Sequence, residues 1–479
     1  MFHIDEKRKE MFMENAHIIE TLQQAYDAFR QCDFKEFRHL LTKVEQELES
    51  YPKDHPLQGE LLLIESMKYF SEPEKLVENF KTSLSLIGGR SKVLIKKQPM
   101  SLDFYNVFGI YYRTGRADEI AEYLDEATLL FEKLTGGGPE TALCYRAQLS
   151  HYRGDQETAL MLAEDTYHMA LKNGNHLTAL CAAELIGRMA QHKSIDKLWH
   201  RMQYYIDGVI NNTDRRKICH EGAETIKAQS NMTLGIFKDI PSWIKSGDFG
   251  AIPQKSHPLG FVLTKDTISS PLLCHAGITH MEYLFYHKKH ADAINMAHLL
   301  KDVWNASPQP FGSAYIDFLV AGNFCILGDL DSAHAAITSA IEKIAPDGLW
   351  LIPSEFILTT LGSFILDTVE KFDPSAVSIV QNLGIEFWDK LDNLRSNIFH
   401  EETPDQLNNR EYEVALLASD RLTNSEIAQK LFITESTVKF HLSNIFGKLG
   451  IKKRKELAHA LETIYVPHTP PPRKNNPFL

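Results

Sequence analysis

Residues Thr423–Gly450 read TNSEIAQKLFITESTVKFHLSNIFGKLG. The stretch encodes two short helices, each with its own start signal. Thr423-Asn424-Ser425-Glu426 has the spacing of a reciprocal capping box, in which the hydroxyl and the carboxylate satisfy orphan backbone donors at a helix start. Ile427, Ala428 and Leu431 then give the first helix one apolar face. After Phe432 and Ile433, Thr434 can cap the second helix, which runs to Lys448 or Leu449 and stops at Gly450, a natural C-terminal stop. Two short helices on one tight connection satisfy helix-turn-helix geometry.

Along the second helix Val438, Leu442, Ile445 and Leu449 recur at spacings of four, three and four, which turns one side toward a core. The opposite side carries Ser436, Lys439, Phe440 and Ser443, and is the candidate reader of a DNA major groove. Lys439 can donate to guanine O6 and N7, Ser443 can bond a base or a phosphate, and Phe440 suits contact with a thymine methyl. The plainer alternative is an ordinary amphipathic hairpin with Lys439 as a solvated charge.

In register, this region resembles the C-terminal domain of LuxR-type regulators from Leu407 to near Leu461. Leu407, Arg410, Glu411, Glu413 and Val414 match the opening signature. Thr423, Asn424, Glu426, Ile427 and Ala428 match the next box, and Thr437, Val438, Lys439 and His441 the one after it. Asn444, Ile445, Lys448, Leu449, Gly450, Arg454 and Glu456 complete the match. The resemblance implies that Lys439, Phe440 and Ser443 read bases and that Thr434, Thr437 and Lys448 hold the phosphate backbone. It also implies a fourth helix, roughly Lys452 to Ile464, as a dimer contact through Lys452, Arg454, Leu457 and Leu461. His441 is expected to pack or touch backbone rather than catalyse. Two positions depart from the pattern. Arg421 stands where the family usually has a turn glycine, so the turn is either strained or shifted. Lys453 replaces the usual asparagine, and within Lys452-Lys453-Arg454-Lys455 it either adds phosphate affinity or forms a solvated helix start.

Charge is divided the same way. The chain has a net charge of −12, yet residues 401–479 hold 11 Lys plus Arg against 10 Asp plus Glu, leaving the other 400 residues at −13. Between 420 and 460 the balance is eight basic to four acidic. Double-stranded DNA should therefore be met by this end and repelled by the rest, with strong salt dependence.

Upstream, residues 1–395 read as an all-α array. Polar turns restarting on a small or apolar residue occur at Gly115–Ile120, Gly154–Ala159 and Lys193–Leu198, spaced by 39, and at Lys288–Ala293 and Gly328–Ala333, spaced by 40. Cys32–Phe37 is a weaker early copy. Apolar spacings of three and four, as at Ile120, Tyr123, Leu124, Ala127 and Leu130, recur throughout, whereas period-two alternation is almost absent. Such a period predicts stacked helix pairs, an α-solenoid. These repeats resemble the tetratricopeptide (TPR) type and, more closely, the helical sensor region of large LuxR-type regulators of the MalT kind.

Periodicity breaks between about 236 and 271, where Pro241, Gly247, Gly250, Pro253, Pro258 and Gly260 interrupt a segment carrying Trp243, Phe249 and Phe261. These aromatics either line an effector pocket or anchor the segment to neighbouring helices. Residues 396–406, SNIFHEETPDQ, read as a polar linker, 407–465 as the DNA-binding domain and 466–479 as a proline-rich, disordered tail in which Arg473 and Lys474 could meet phosphate.

Other chemistries find little support. Gly136-Gly137-Gly138 lacks the lysine of a phosphate loop, so no ATP switch is expected, and the first 120 residues lack the strands of a phosphoacceptor domain. Six separated cysteines show no zinc spacing. His287 and His290 lie beside lysines and without a helically spaced carboxylate, which argues against a metal. No cluster of nucleophile and base emerges, so the chain is not expected to be an enzyme or to need a cofactor. A signal peptide and a membrane span are not expected either, because Pro353 and Glu355 interrupt the best apolar run, Leu349 to Leu366. A soluble, cytoplasmic protein follows.

The expected whole is a TPR-like solenoid followed by a small four-helix DNA reader. The solenoid would sense a small molecule, peptide or protein, and the reader would bind as a homodimer, with RNA polymerase a further possible partner. The competing reading is a TPR-like interaction scaffold with a degenerate DNA-binding domain.

Overall fold

The computed structural model describes residues 15–462, apart from 31–32, 70–71, 96–110, 194, 214–215, 238, 250–270, 306–308, 403–406, 408, 420–421 and 432–433. Among the described residues every regular element is helical. The array comprises α1 (Ala16–Arg30), α2 (Phe34–Leu48), α3 (Pro56–Glu65), α4 (Pro73–Ile87), α5 (Ala117–Thr135), α6 (Glu140–Tyr152) and α7 (Gln156–Asn173). It continues through α8 (His176–Lys193), α9 (Asp196–Asn212), α10 (Arg216–Thr233), α11 (Ser242–Ser246), α12 (Pro271–Tyr286) and α13 (His290–Asn305). Then come α14 (Pro310–Leu327), α15 (Leu330–Ile344), α16 (Leu351–Ser354), α17 (Gly362–Phe372) and the 27-residue α18 (Ala376–Glu402). The C-terminal unit has α19 (Asn409–Ser419), α20 (Asn424–Leu431), α21 (Glu435–Leu449) and, after a 3-10 turn Arg454–Glu456, α22 (Leu457–Glu462).

The repeated turns have one local cause. Gly154 and Gly328 adopt left-handed φ values of 94° and 83°, and the aspartate that follows each caps the next helix. Asp155 accepts from Thr158 N at 3.1 Å and Asp329 from Ser332 N at 3.1 Å, satisfying a backbone donor that a helix start leaves open. Asp33 caps α2 in the same way through Glu36 N. The residue opening each following face, Ala159, Ala293 or Ala333, is fully buried. Small residues let helices approach closely: a side chain on Gly187 would collide with Met202 across the α8–α9 crossing.

The array is not an open spiral, because its two halves meet. The carboxylate of Asp347, in the turn after α15, accepts from the amides of Gly115 (2.5 Å) and Ala117 (2.9 Å) and from the Tyr111 hydroxyl. It thus caps α5 from about 230 positions away in the chain. Arg153 donates to the Asp347 carbonyl at 3.0 Å while gripping Asp118 through both terminal nitrogens at 2.7 and 2.9 Å. Farther along, His192 Nε2 lies 3.1 Å from Glu355 Oε1. Helix α18 closes the far side: Gly384 seats tightly on Ile357 and Ser354, and Arg395 donates to the carbonyls of Thr233 and Leu234 at the end of α10.

Two sequence expectations change. The joint expected from Ser396 is helical through Glu402, with Ile398 buried on its inner side, so any non-helical connection begins later. Among the described residues the one helix long and apolar enough to cross a bilayer is Pro310–Leu327, not the run at Leu349. Here Phe311, Ile316 and Phe318 are buried in the array, and the fully buried Asp317 is paired with Lys301 and Lys343.

Replacing Asp347 with alanine removes the acceptor of the buried Ala117 amide and Tyr111 hydroxyl, a stranded donor costing about 1–3 kcal/mol. Asp347→Ala should lower the unfolding free energy of the full chain by about 3 kcal/mol or more, read by denaturant titration. An unchanged midpoint would show that the two halves stay together without this contact.

Candidate nucleic-acid interface

The C-terminal unit has its own core, formed by Leu407, Val414, Ala418, Ile427, Val438, Ile445, Leu457 and neighbouring residues. The capping box predicted from the sequence is formed: Glu426 N donates to Thr423 Oγ1 at 3.3 Å and Thr423 N to Glu426 Oε2 at 2.6 Å. Thr434 caps α21 by accepting from Thr437 N at 3.2 Å, and Gly450 ends it at a φ of 63°. Val438, Leu442 and Ile445 face inward, with Leu449 partly buried beside them.

Opposite that core, Ser436, Lys439, Phe440 and Ser443 are exposed together on α21, Phe440 at 63%. A helix docked through this side presents one ammonium, one aromatic ring and two hydroxyls to a groove. At the N-terminal end of α21, Thr434 Oγ1 lies 2.7 Å from Ser436 Oγ and 2.8 Å from Thr437 Oγ1. Hydroxyls clustered over a helix N-terminus, where backbone donors and the helix dipole both favour anions, suit a phosphate. Lys453 and Lys452 are exposed beyond the end of the helix.

Several assigned roles change once partners are visible. Lys448 donates to Glu411 Oε2 at 2.7 Å, and that carboxylate is almost completely buried. The lysine therefore ties α21 to α19, with a quarter of its side chain exposed. Arg454 turns inward: its guanidinium donates to the carbonyls of Ala418 and Leu422 and to Asn424 Oδ1. It clamps the approach to α20 and is not placed for a dimer contact. Leu457 and Leu461 are buried in the unit's own core, so of the four dimer-helix residues only Lys452 is fully open to solvent. Arg421 lies outside the described residues.

The aromatics of the irregular segment favour anchoring. Trp243 donates to Glu224 Oε2 at 2.8 Å, and Phe249, 2% exposed, packs edge-on against His280. Neither lines the large cleft of the array. Phe261 lies outside the described residues. His287 and His290 are hydrogen-bonded to Tyr283 O and Asn323 Oδ1 respectively.

The sequence profile described as "Bacterial regulatory proteins, luxR family" matches residues 405–461. The chain is 50% identical over 52 residues to the transcriptional regulatory protein LnrK of Bacillus subtilis, covering 11% of this chain and 24% of the relative. It is 43% identical over 54 residues to the transcriptional regulatory protein LiaR of the same organism, covering 11% and 26%. It is also 48% identical over 50 residues to the spore germination protein GerE of Bacillus subtilis, covering 10% of this chain and 68% of the relative. The chain thus spans about a quarter of the length of the first two relatives.

Two substitutions separate reading from holding. Lys439→Ala should cost about 1–3 kcal/mol of binding to a preferred duplex with little change on random DNA, measured by fluorescence anisotropy. Equal loss on both would remove its base-reading role. Lys448→Ala strands a buried carboxylate and should destabilise the C-terminal unit by about 3 kcal/mol, seen as earlier unfolding in calorimetry. An unchanged unfolding profile with uniformly weaker DNA binding would return Lys448 to the phosphate backbone.

Proposed function

Because the chain belongs to the LuxR family of bacterial regulatory proteins, we propose that it regulates transcription by placing α21 in the major groove of specific DNA sites, under the control of the array. The observation that carries the reading is the exposed Lys439–Phe440–Ser443 face, held opposite a buried apolar face on a helix capped at both ends. Lys439 and Ser443 would read base edges, Phe440 a thymine methyl, and Thr434, Thr437 and Lys453 the backbone. Domains follow the same division, with the array through about residue 395 sensing and 407–465 binding.

Two copies would bind half-sites about one helical turn apart, as two-fold helix-turn-helix proteins do. Their contact would use surface other than Leu457 and Leu461, which are occupied by the core. The route from array to reader is α18: it packs along α8 and α16, is locked to the end of α10 through Arg395, and is the last helix of the array before the C-terminal unit in the chain. A ligand that shifts α18 would bias the orientation or pairing of the DNA readers, a change of rigid-body type. The target is double-stranded DNA, and a bound dimer can further contact RNA polymerase.

Selection of random duplexes with the full chain should enrich an inverted repeat. Affinity for it should fall linearly on a log–log plot against salt, while remaining above that for random DNA. Sequence-blind binding at every salt concentration would favour a scaffold whose C-terminal unit no longer reads DNA.

A further inference from the structure

Where the two halves of the array meet, a cleft encloses about 1030 Å³ of empty space, part of it open to solvent. Its lining comes from α8, α10, α12, α14, the turn after α16, and α18. One wall is aromatic, with Phe318 and Phe356 stacked at 5.2 Å and Phe387 and Trp388 meeting edge-on at 5.7 Å. The other is polar and acidic. Arg188 pairs with Glu184, Nε to Oε1 at 3.2 Å, and is the one Lys or Arg in a lining that also holds Glu282 and Glu355, so three carboxylates share one guanidinium.

Glu282 is 8% exposed, and its Oε1 accepts from both Gln229 and Tyr315 at 3.1 Å. The same side chain lines the cleft. Glu355 Oε1 meets His192, while its side chain also lines the space. Gln191, 6% exposed, lines it too, and its amide has no hydrogen-bond partner among the described residues. An amide on the cleft wall can both donate to and accept from what occupies the space. Burial pushes the Glu282 carboxyl up to about 7, against the opposing pull of Gln229, Arg188 and Tyr315.

We propose that this cleft binds a small organic cation, an amine with an apolar or aromatic body, whose ammonium sits among Glu282, Glu355 and Gln191 and whose body lies against Phe318, Phe356 and Trp388. The charge excess selects a cation over an anion. Aromatic faces add a favourable interaction with an ammonium. Three of the lining residues, Phe387, Trp388 and Leu391, belong to α18, so an occupied cleft touches the helix that leads to the DNA reader. The assignment rests on the reading of the array as the sensing part, and it adds the chemistry of what is sensed.

The test is calorimetric titration of the full chain with three probes sharing one aromatic body: tryptamine, its neutral analogue tryptophol and the anion indole-3-acetate. Tryptamine should bind saturably and about tenfold or more tighter than either analogue. Glu282→Gln keeps an acceptor for Gln229 and Tyr315, and should weaken tryptamine about tenfold without moving tryptophol. Gln191→Leu, which removes an amide with no protein partner, should weaken tryptamine while leaving thermal unfolding unchanged. Equal affinity for tryptophol, tighter binding of indole-3-acetate, or no saturable tryptamine binding would overturn the proposal. Adding tryptamine to the chain bound to its selected duplex separates the two readings. A changed DNA affinity supports both, whereas binding without such a change keeps the cation site and removes sensing by this route.

Discussion

The array depends on one carboxylate. Asp347 reaches across about 230 positions to cap α5, and the same turn receives Arg153. A stack of helix pairs has no intrinsic reason to bring its early and late members together, because each pair contacts only its neighbours. A buried acceptor that must be satisfied by Tyr111, Gly115 and Ala117 supplies one. Once the halves meet, the space between them becomes a cleft, and α18 is held against both sides of it.

In the C-terminal unit buried polar contacts do comparable work on a smaller scale. Lys448–Glu411 joins α21 to α19, and Arg454 joins the approach to α20 to the turn before α22. With both in place, the polar side of α21 is presented as a rigid surface. Specific recognition requires such rigidity, since side chains reading base edges must arrive in fixed register.

Much of this was legible in the sequence. Turn chemistry is local, so Gly154-Asp155 and Gly328-Asp329 announce helix boundaries to within a residue. The Thr423–Glu426 box, the Thr434 cap and the inward row Val438, Leu442 and Ile445 were readable for the same reason. Closure of the array was not, because nothing near Asp347 in the chain names Ala117 as its partner. The partners of Lys448, Arg454, Leu457 and Leu461 were not legible for a related reason. A charged or apolar residue near a helix end looks available until the packing partner is known, and here each is occupied inside its own unit. For Trp243 and Phe249 the sequence left pocket lining and anchoring both open, and their contacts with Glu224 and His280 favour anchoring. The cleft is lined by residues from six separate parts of the chain, a juxtaposition that no local pattern encodes.

The central claim is that α21 reads bases through Lys439. It is tested most directly by a double-mutant cycle on the full chain and its selected duplex, replacing the contacted guanine with 7-deazaguanine to delete N7. The wild-type chain should lose about tenfold in affinity on the modified duplex, an interaction energy of about 1.4 kcal/mol, while Lys439→Ala should be indifferent to the modification. Equal losses for both proteins would mean that Lys439 does not touch that base, and the assignment of α21 as the reading helix would fail with it.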